Sequence, residues 1–309
     1  MAVSAHEKLG TLSMAKVSTM KQKAVKVRFV FEIKNDVSGE KTCYKARLVA
    51  PGLYAVLGRA FEELWVLVPN AWTSRARFSV EAANERNVHH FDFNTGFPNA
   101  KMNKEMYIKL PDVVETGEPA EVRRLSLALY ESKQARRLWG MKLSEEIEQM
   151  GAARSTVDPC LFECNHPVHG RVFILVYVED LIVAGKSFAG VAAIKSGVSD
   201  KFYERNMGEF KDFICMKVMR DKAAKKLRLS TPGHIMGLLQ AFEMHMCTPN
   251  ETAMMSRAKL SKTRENHFLY GCRYAELMGS LLYLSTTTRP DTAFAVGVLS
   301  RFVSCPDRE

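Results

Sequence analysis

Residues 171–185 constrain this chain more than any other stretch. They read Arg-Val-Phe-Ile-Leu-Val-Tyr-Val-Glu-Asp-Leu-Ile-Val-Ala-Gly, two β-branched and aromatic runs that meet at Glu179 and Asp180. Apolar runs of this length, closed by glycine, predict a buried hairpin with strands over residues 172–178 and 181–184. Seven residues suffice for the first strand and are too few to cross a bilayer. Two adjacent carboxylates at the tip have no packing reason to be there. Held together, they repel and lose solvation unless a cation sits between them. A hard divalent cation such as Mg²⁺ takes oxygen ligands of this kind. The plainer alternative is an ordinary hairpin with a solvated acidic turn, since acidic residues are common turn formers.

Further segments carry the argument along the chain. Val30-Phe31-Glu32-Ile33-Lys34 is followed by Gly39 and Tyr44-Lys45-Ala46-Arg47-Leu48-Val49-Ala50. Asp92-Phe93-Asn94-Thr95-Gly96-Phe97-Pro98-Asn99 precedes Met106-Tyr107 and Pro111. Leu129-Tyr130, Lys133-Gln134-Ala135 and Trp139 come next, then Asp158-Pro159-Cys160-Leu161-Phe162. Tyr274, the run from Gly279 to Leu284, Thr288-Arg289-Pro290-Asp291 and Ala293-Phe294-Ala295-Val296 close the series. In order and spacing, these segments resemble the reverse transcriptases of copia-type (pseudovirus) LTR retrotransposons over residues 24–306. The hairpin itself is similar to that family's Tyr-Val-Asp-Asp turn.

The resemblance implies an α+β fold of polymerase type, with fingers, palm and thumb and a helical C-terminal connection. It implies a reverse transcriptase domain over 24–249 and a linker and connection over 250–309 that stops before any ribonuclease H domain; residues 1–23, small, polar and basic with no sustained apolar period, read as a mobile arm. It implies RNA-directed DNA polymerisation by two-metal nucleotidyl transfer. Asp92, Glu179 and Asp180 are then the catalytic and metal-ligating residues for two Mg²⁺ ions, with Mn²⁺ as substitute. Lys45, Arg47, Lys133 and Gln134 become the nucleotide and template contacts, and Phe213 and Cys215 the primer-grip candidates. The partners implied are an RNA or DNA template-primer and dNTPs; with no apolar run of membrane length and no signal-peptide pattern, no membrane partner and an intracellular location, cytoplasmic or nuclear, are expected.

Composition is consistent with that reading without compelling it. Hydrophobic residues make up 47% and charged residues 25% of 309, as in a globular protein with a real core. Seven scattered cysteines form no secreted framework and fit a reducing compartment. The net charge is +10, and it is uneven. Residues 1–50 hold ten Lys and Arg against four acids, and residues 220–264 hold nine against three. The stretch between, 51–219, is balanced at 21 against 22. Basic flanks around a neutral centre suit a grip on a polyanion, or merely solvated helix faces.

Alternating apolar residues predict strands over 25–34, 42–50 and 88–93, the last delivering Asp92 to its end. Helical patterns are read over 74–87, 121–130, 133–150, 187–204, 235–244 and much of 270–302, with strands over 213–219 and 226–230. Lys45 and Arg47, spaced i and i+2, share a strand face and suit a triphosphate, or a solvated face. Cys160, Cys164, His166 and His169 fall within ten residues, which reads as a strand and turn rather than zinc.

Several residues depart from the family pattern. Glu179 stands where the family has an aspartate, and its extra methylene moves the carboxylate out by roughly 1–1.5 Å. Glu131-Ser132 replaces Gly-Leu, Arg136 replaces proline, and residues 51–55 lose the expected motif. Phe213-Ile214-Cys215-Met216 stands where Phe-Leu-Gly-Ile is expected, placing side chains where glycine allows close approach. These changes point to a degenerate copy. Three readings follow: an impaired polymerase, an inactive remnant that still binds nucleic acid, or a basic scaffold whose acidic hairpin is structural.

Overall fold

The computed structural model describes residues 10–15, 20, 23–35, 41–52, 66, 68–93, 95–111, 122–255 and 271–304. The chain divides into two compact units, Met1–Phe210 and Lys211–Glu309.

The first unit is built in order from β1 (Leu12–Ala15), β2 (Val25–Lys26), β3 (Arg28–Asn35), β4 (Lys41–Val49), α1 (Ala71–Ala83), β5 (Asn87–Phe93), β6 (Lys101–Lys109), β7 (Val122–Leu127), α2 (Ala135–Gln149), β8 (Ala152–Arg154), β9 (Leu161–His166), β10 (Gly170–Tyr177), β11 (Asp180–Gly185), α3 (Phe188–Ser199) and β12 (Glu204–Glu209). Its principal sheet runs β12-β5-β11-β10-β9-β8, every neighbour antiparallel. A second sheet runs β1-β7-β6-β2, and β3 pairs with β4 as a two-stranded ribbon.

The predicted hairpin forms as β10 and β11, in register from Val172 opposite Gly185 to Tyr177 opposite Asp180. Both strands are buried nearly throughout, which is why their sequence is continuously apolar rather than alternating. One sheet face packs on α2 and α3. There Trp139 meets Phe93 and Phe202 edge-on, with centroids 5.1 and 5.0 Å apart. Leu143, Ile147, Ile174, Val183, Ile194 and Val198 complete that core. The helix α1 is tied to the sheet differently. Its buried Glu81 pairs with Arg77 and Arg86, whose guanidinium groups lie 3.5 and 5.0 Å from the Phe173 ring centre.

One sequence expectation fails here. The helix expected over 121–130 is strand β7, between β1 and β6, with Leu125 opposite both Leu12 and Met106. Val122 and Leu125 sit three apart, which suggests a helix. Over six residues that spacing is ambiguous, and partner strands decide. The expected arm contributes β1, an edge strand whose buried Leu12 joins a second small core with Ile108 and Leu129.

The second unit is a three-stranded meander followed by helices: β13 (Asp212–Phe213), β14 (Met216–Asp221), β15 (Lys226–Ser230), α4 (Pro232–Ala241), α5 (Gly271–Thr287) and α6 (Ala293–Leu299). Pro232 opens α4 where its missing N–H costs nothing. Met278, Leu284, Ala295 and Val296 are buried, and Tyr274 Oη donates to the Leu299 carbonyl at 2.9 Å. The fold class is therefore α+β, as expected. Among the described residues, no helix is long and apolar enough to cross a membrane.

Candidate active site

Strand pairing alone brings two carboxylates together. Asp180, first residue of β11, is directly opposite Asp92 on β5. The Phe93 N–H donates to the Glu179 carbonyl at 3.0 Å, so 93 and 179 form the hydrogen-bonded pair. The next pair, Asp92 and Asp180, is then non-hydrogen-bonded, with Cα atoms about 4.5 Å apart and side chains on one face. His90, two residues before Asp92, shares that face. Its Nε2 lies 2.7 Å from Asp180 Oδ1, and towards an ionised carboxylate it donates.

Glu179 does otherwise. The tip between Tyr177 and Asp180 is the two-residue turn Val178-Glu179. Val178 adopts φ of +55°, a strained conformation for a β-branched residue. Two bonds hold the turn: the one from Phe93, and one from Trp139 Nε1 to the Val178 carbonyl at 2.7 Å. From this backbone the Glu179 side chain reaches towards α2. Its Oε1 accepts from the Gly96 N–H at 3.1 Å and from Tyr130 Oη at 3.0 Å. Asp92 and Asp180 thus stand opposite each other on one sheet face, while Glu179 Oε1 is held by Gly96 and Tyr130. Among the described residues, no group of three His, Cys, Asp or Glu side chains could hold a metal ion.

Beside Glu179 opens a cavity of about 740 Å³, with Arg47, Phe97, Tyr130, Lys133, Arg136 and Glu179 in its wall. Strand β4 delivers Arg47 there because its end docks on the 130 segment, with Ala50 N donating to the Tyr130 carbonyl at 2.9 Å. Arg47 also pairs with Glu32 at 2.7 Å and lies 5.8 Å from the Tyr130 ring centre. Burial first, and then the charge and hydrogen bond of Glu179, push the Tyr130 phenol well above its ordinary value. It stays a protonated donor. Asp92 and Asp180 are not in the cavity wall.

The other expected contacts separate. Lys133 lines the cavity, but Gln134 is buried at 2% exposure with Nε2 on the Met102 sulfur, and it does not. Lys45 lies on β4, and its side chain falls outside the described residues. Phe213 and Cys215 belong to the second unit: Phe213 is buried, and Cys215 is exposed in a turn with φ of +62°. His90, Gly96 and Arg136 were missed as site residues. His90 was recoverable, because strand alternation puts it on the face of Asp92. At the cysteine–histidine stretch, His166 Nδ1 accepts from the N–H groups of Val168 and His169. Burial, then the charge of Asp158, pushes the Cys160 thiol up to about 12, which disfavours the thiolate a metal needs.

Residues 13–256 match the family described as reverse transcriptase (RNA-dependent DNA polymerase). The chain belongs to the reverse transcriptase family. Its relatives include the retrovirus-related Pol polyprotein from transposon TNT 1-94 of Nicotiana tabacum, 30% identical over 98% of this chain and 23% of that protein. The Pol polyprotein from transposon RE1 of Arabidopsis thaliana is 29% identical over 91% of this chain and 19% of that protein. The putative transposon Ty5-1 protein of Saccharomyces cerevisiae is 26% identical over 70% of each chain. The plant homologues are of copia type, and this reverse transcriptase chain spans about a quarter or less of those Pol polyproteins.

Proposed function

We propose that this chain is the RNA-directed DNA polymerase domain of a copia-type polyprotein, acting on a template-primer and dNTPs and impaired as it stands. The observation that carries the reading is the Asp92–Asp180 pair. Two like charges directly opposite on one sheet face repel, beside His90 and Arg205, and a cation between them would relieve that repulsion. The donor set suits Mg²⁺ or Mn²⁺, both of which take carboxylate oxygens. When bound, such cations activate a 3′-hydroxyl and steady the departing pyrophosphate.

The chain's own residues supply the rest. Asp92 and Asp180 would hold the metal. Arg47, Lys133 and Arg136 outnumber Glu131 and Glu179 in the wall of the neighbouring cavity, which favours a triphosphate, with Arg able to grip two oxygens at once. Phe97 and Tyr130, edge-on at 4.8 Å, offer an apolar wall for sugar or base. In this reading, β3 and β4 are the fingers, the six-stranded sheet is the palm, and the second unit is thumb and connection. The impairment is argued from the carboxylates: two share a face where three were expected.

Primer extension on an RNA template with a DNA primer, in Mg²⁺ and then Mn²⁺, tests this. Slow extension is expected, lost by about a hundredfold or more in D92N and D180N. Extension that survives both substitutions would sink the reading.

A further inference from the structure

The Glu179 carboxylate is held by groups that lie far from it in the sequence. A single oxygen, Oε1, accepts from the Gly96 N–H and the Tyr130 O–H. The backbone beneath it is clamped by Trp139 and Phe93 and cannot slide forward to shorten the reach. Space on that side is also tight. A Cβ added at Gly96 would lie 3.0 Å from Glu179 Oε1 and 3.0 Å from Trp139 Cε2. An aspartate at this position would end roughly 1–1.5 Å short of both donors, one methylene's length. The extra methylene is therefore what lets the group make these bonds.

Through Tyr130 the contact reaches the cavity wall. The Tyr130 ring meets Phe97 edge-on at 4.8 Å, and Arg47 lies 5.8 Å from its centre. Tyr130 is the link: its hydroxyl donates to Glu179, and its carbonyl accepts from Ala50, at the end of the strand that carries Arg47. Losing the acceptor would leave a half-buried phenol and a backbone N–H without this partner.

We propose that Glu179 is a positioning residue, which fixes Tyr130 and the Gly96 turn as the wall of a nucleoside-triphosphate cavity and leaves the divalent cation to Asp92 and Asp180. This rests on the polymerase reading above. It reverses the role that the hairpin's resemblance assigns to Glu179.

The test uses the full chain and two readouts other than extension. Free Mn²⁺ followed by electron paramagnetic resonance gives the number of ions bound. A fluorescent N-methylanthraniloyl dATP gives nucleotide affinity. E179Q keeps both accepted bonds through its amide oxygen, so it should bind as many Mn²⁺ ions as the parent, whereas D180N should lose them. E179D and Y130F should each weaken the nucleotide about three- to tenfold, the loss of one to two ordinary hydrogen bonds. E179D/Y130F should be no weaker than the worse single variant, because both remove the same link. E179Q should recover most of what E179D loses. If E179D does not fold, E179Q and Y130F carry the same comparison. Fewer bound ions in E179Q, or more in E179D, would overturn the proposal while leaving the polymerase reading intact. Mn²⁺ binding unaffected by D92N and D180N would overturn the polymerase reading, and independent effects of Glu179 and Tyr130 would overturn the coupling alone.

Discussion

Asp92 and Asp180 stand directly opposite each other on adjacent antiparallel strands, in the pair that lacks its own hydrogen bonds. Their repulsion is built into the register. A one-residue slip would send every side chain of β11 to the other face and empty its core. The buried run from Leu181 to Ala184 therefore holds the two charges together whether or not a cation is present.

That yields a stability prediction with an unusual sign. Asp92→Asn removes one like charge, so the metal-free chain should gain about 0.2–1 kcal/mol. It should at the same time lose any stabilisation by added Mn²⁺. Thermal unfolding with and without Mn²⁺ measures both. A destabilised D92N chain would mean that the carboxylates are already compensated by protein groups. Asp180 is the poorer choice for this test, because its bond to His90 would be weakened from a charged to a neutral acceptor as well.

Trp139 should control the hairpin tip. Its Nε1–H is the donor seen on the Val178 carbonyl, beneath a residue in a strained backbone conformation. Trp139→Phe keeps most of the edge-on packing against Phe93 and Phe202 and removes that donor. The cost should be about 1–3 kcal/mol, the range for leaving a buried carbonyl unsatisfied. Urea unfolding gives the number, and amide exchange at the tip should quicken. A loss below half a kilocalorie would show the tip is held by Phe93 alone.

How much of this was legible in the sequence depends on the range of the interactions. The hairpin was readable because both of its strands are buried, so β-branched residues fill consecutive positions. Asp92 at a strand end followed from alternation in its own seven residues. The turning of Glu179 was not readable. Its two donors come from 83 and 49 residues away, and no local pattern announces that they meet there. Gln134 failed for a similar reason. A polar side chain at a helix start reads as surface, and only the passage of β6 past it, bringing Met102, buries it. Strand β7 needed both of its partners to be distinguished from a helix.

The turn between β13 and β14 should be improvable. Its two central residues, Ile214 and Cys215, adopt φ of +48° and +62°. Left-handed backbone costs roughly 1–2 kcal/mol per residue with a side chain, and a two-residue turn of this hand favours Asn-Gly. Ile214→Asn with Cys215→Gly should stabilise the second unit by about 1–2 kcal/mol. Chemical denaturation should show a higher midpoint for that unit. No gain would mean the side chains make contacts that offset the strain.

The cysteines offer a prediction about pH. Cys160 and Cys164 are buried, while Cys215 and Cys247 are exposed. Burial, with the nearby Asp158 charge, raises the Cys160 thiol from 9.0 to about 12. The folded chain therefore holds this proton where the unfolded chain has lost it. Stability tied to that proton is whole below pH 9 and declines as pH rises towards 12, because the unfolded state is then favoured by ionising. At pH 8 the thiolate is the reactive form, so iodoacetamide should label Cys215 and Cys247 within minutes and leave Cys160 unlabelled until urea is added. Mass spectrometry of the digested chain reads this directly. Rapid labelling of Cys160 in the native chain would show that β9 opens locally, and the raised thiol and the stability loss above pH 9 would both have to be given up.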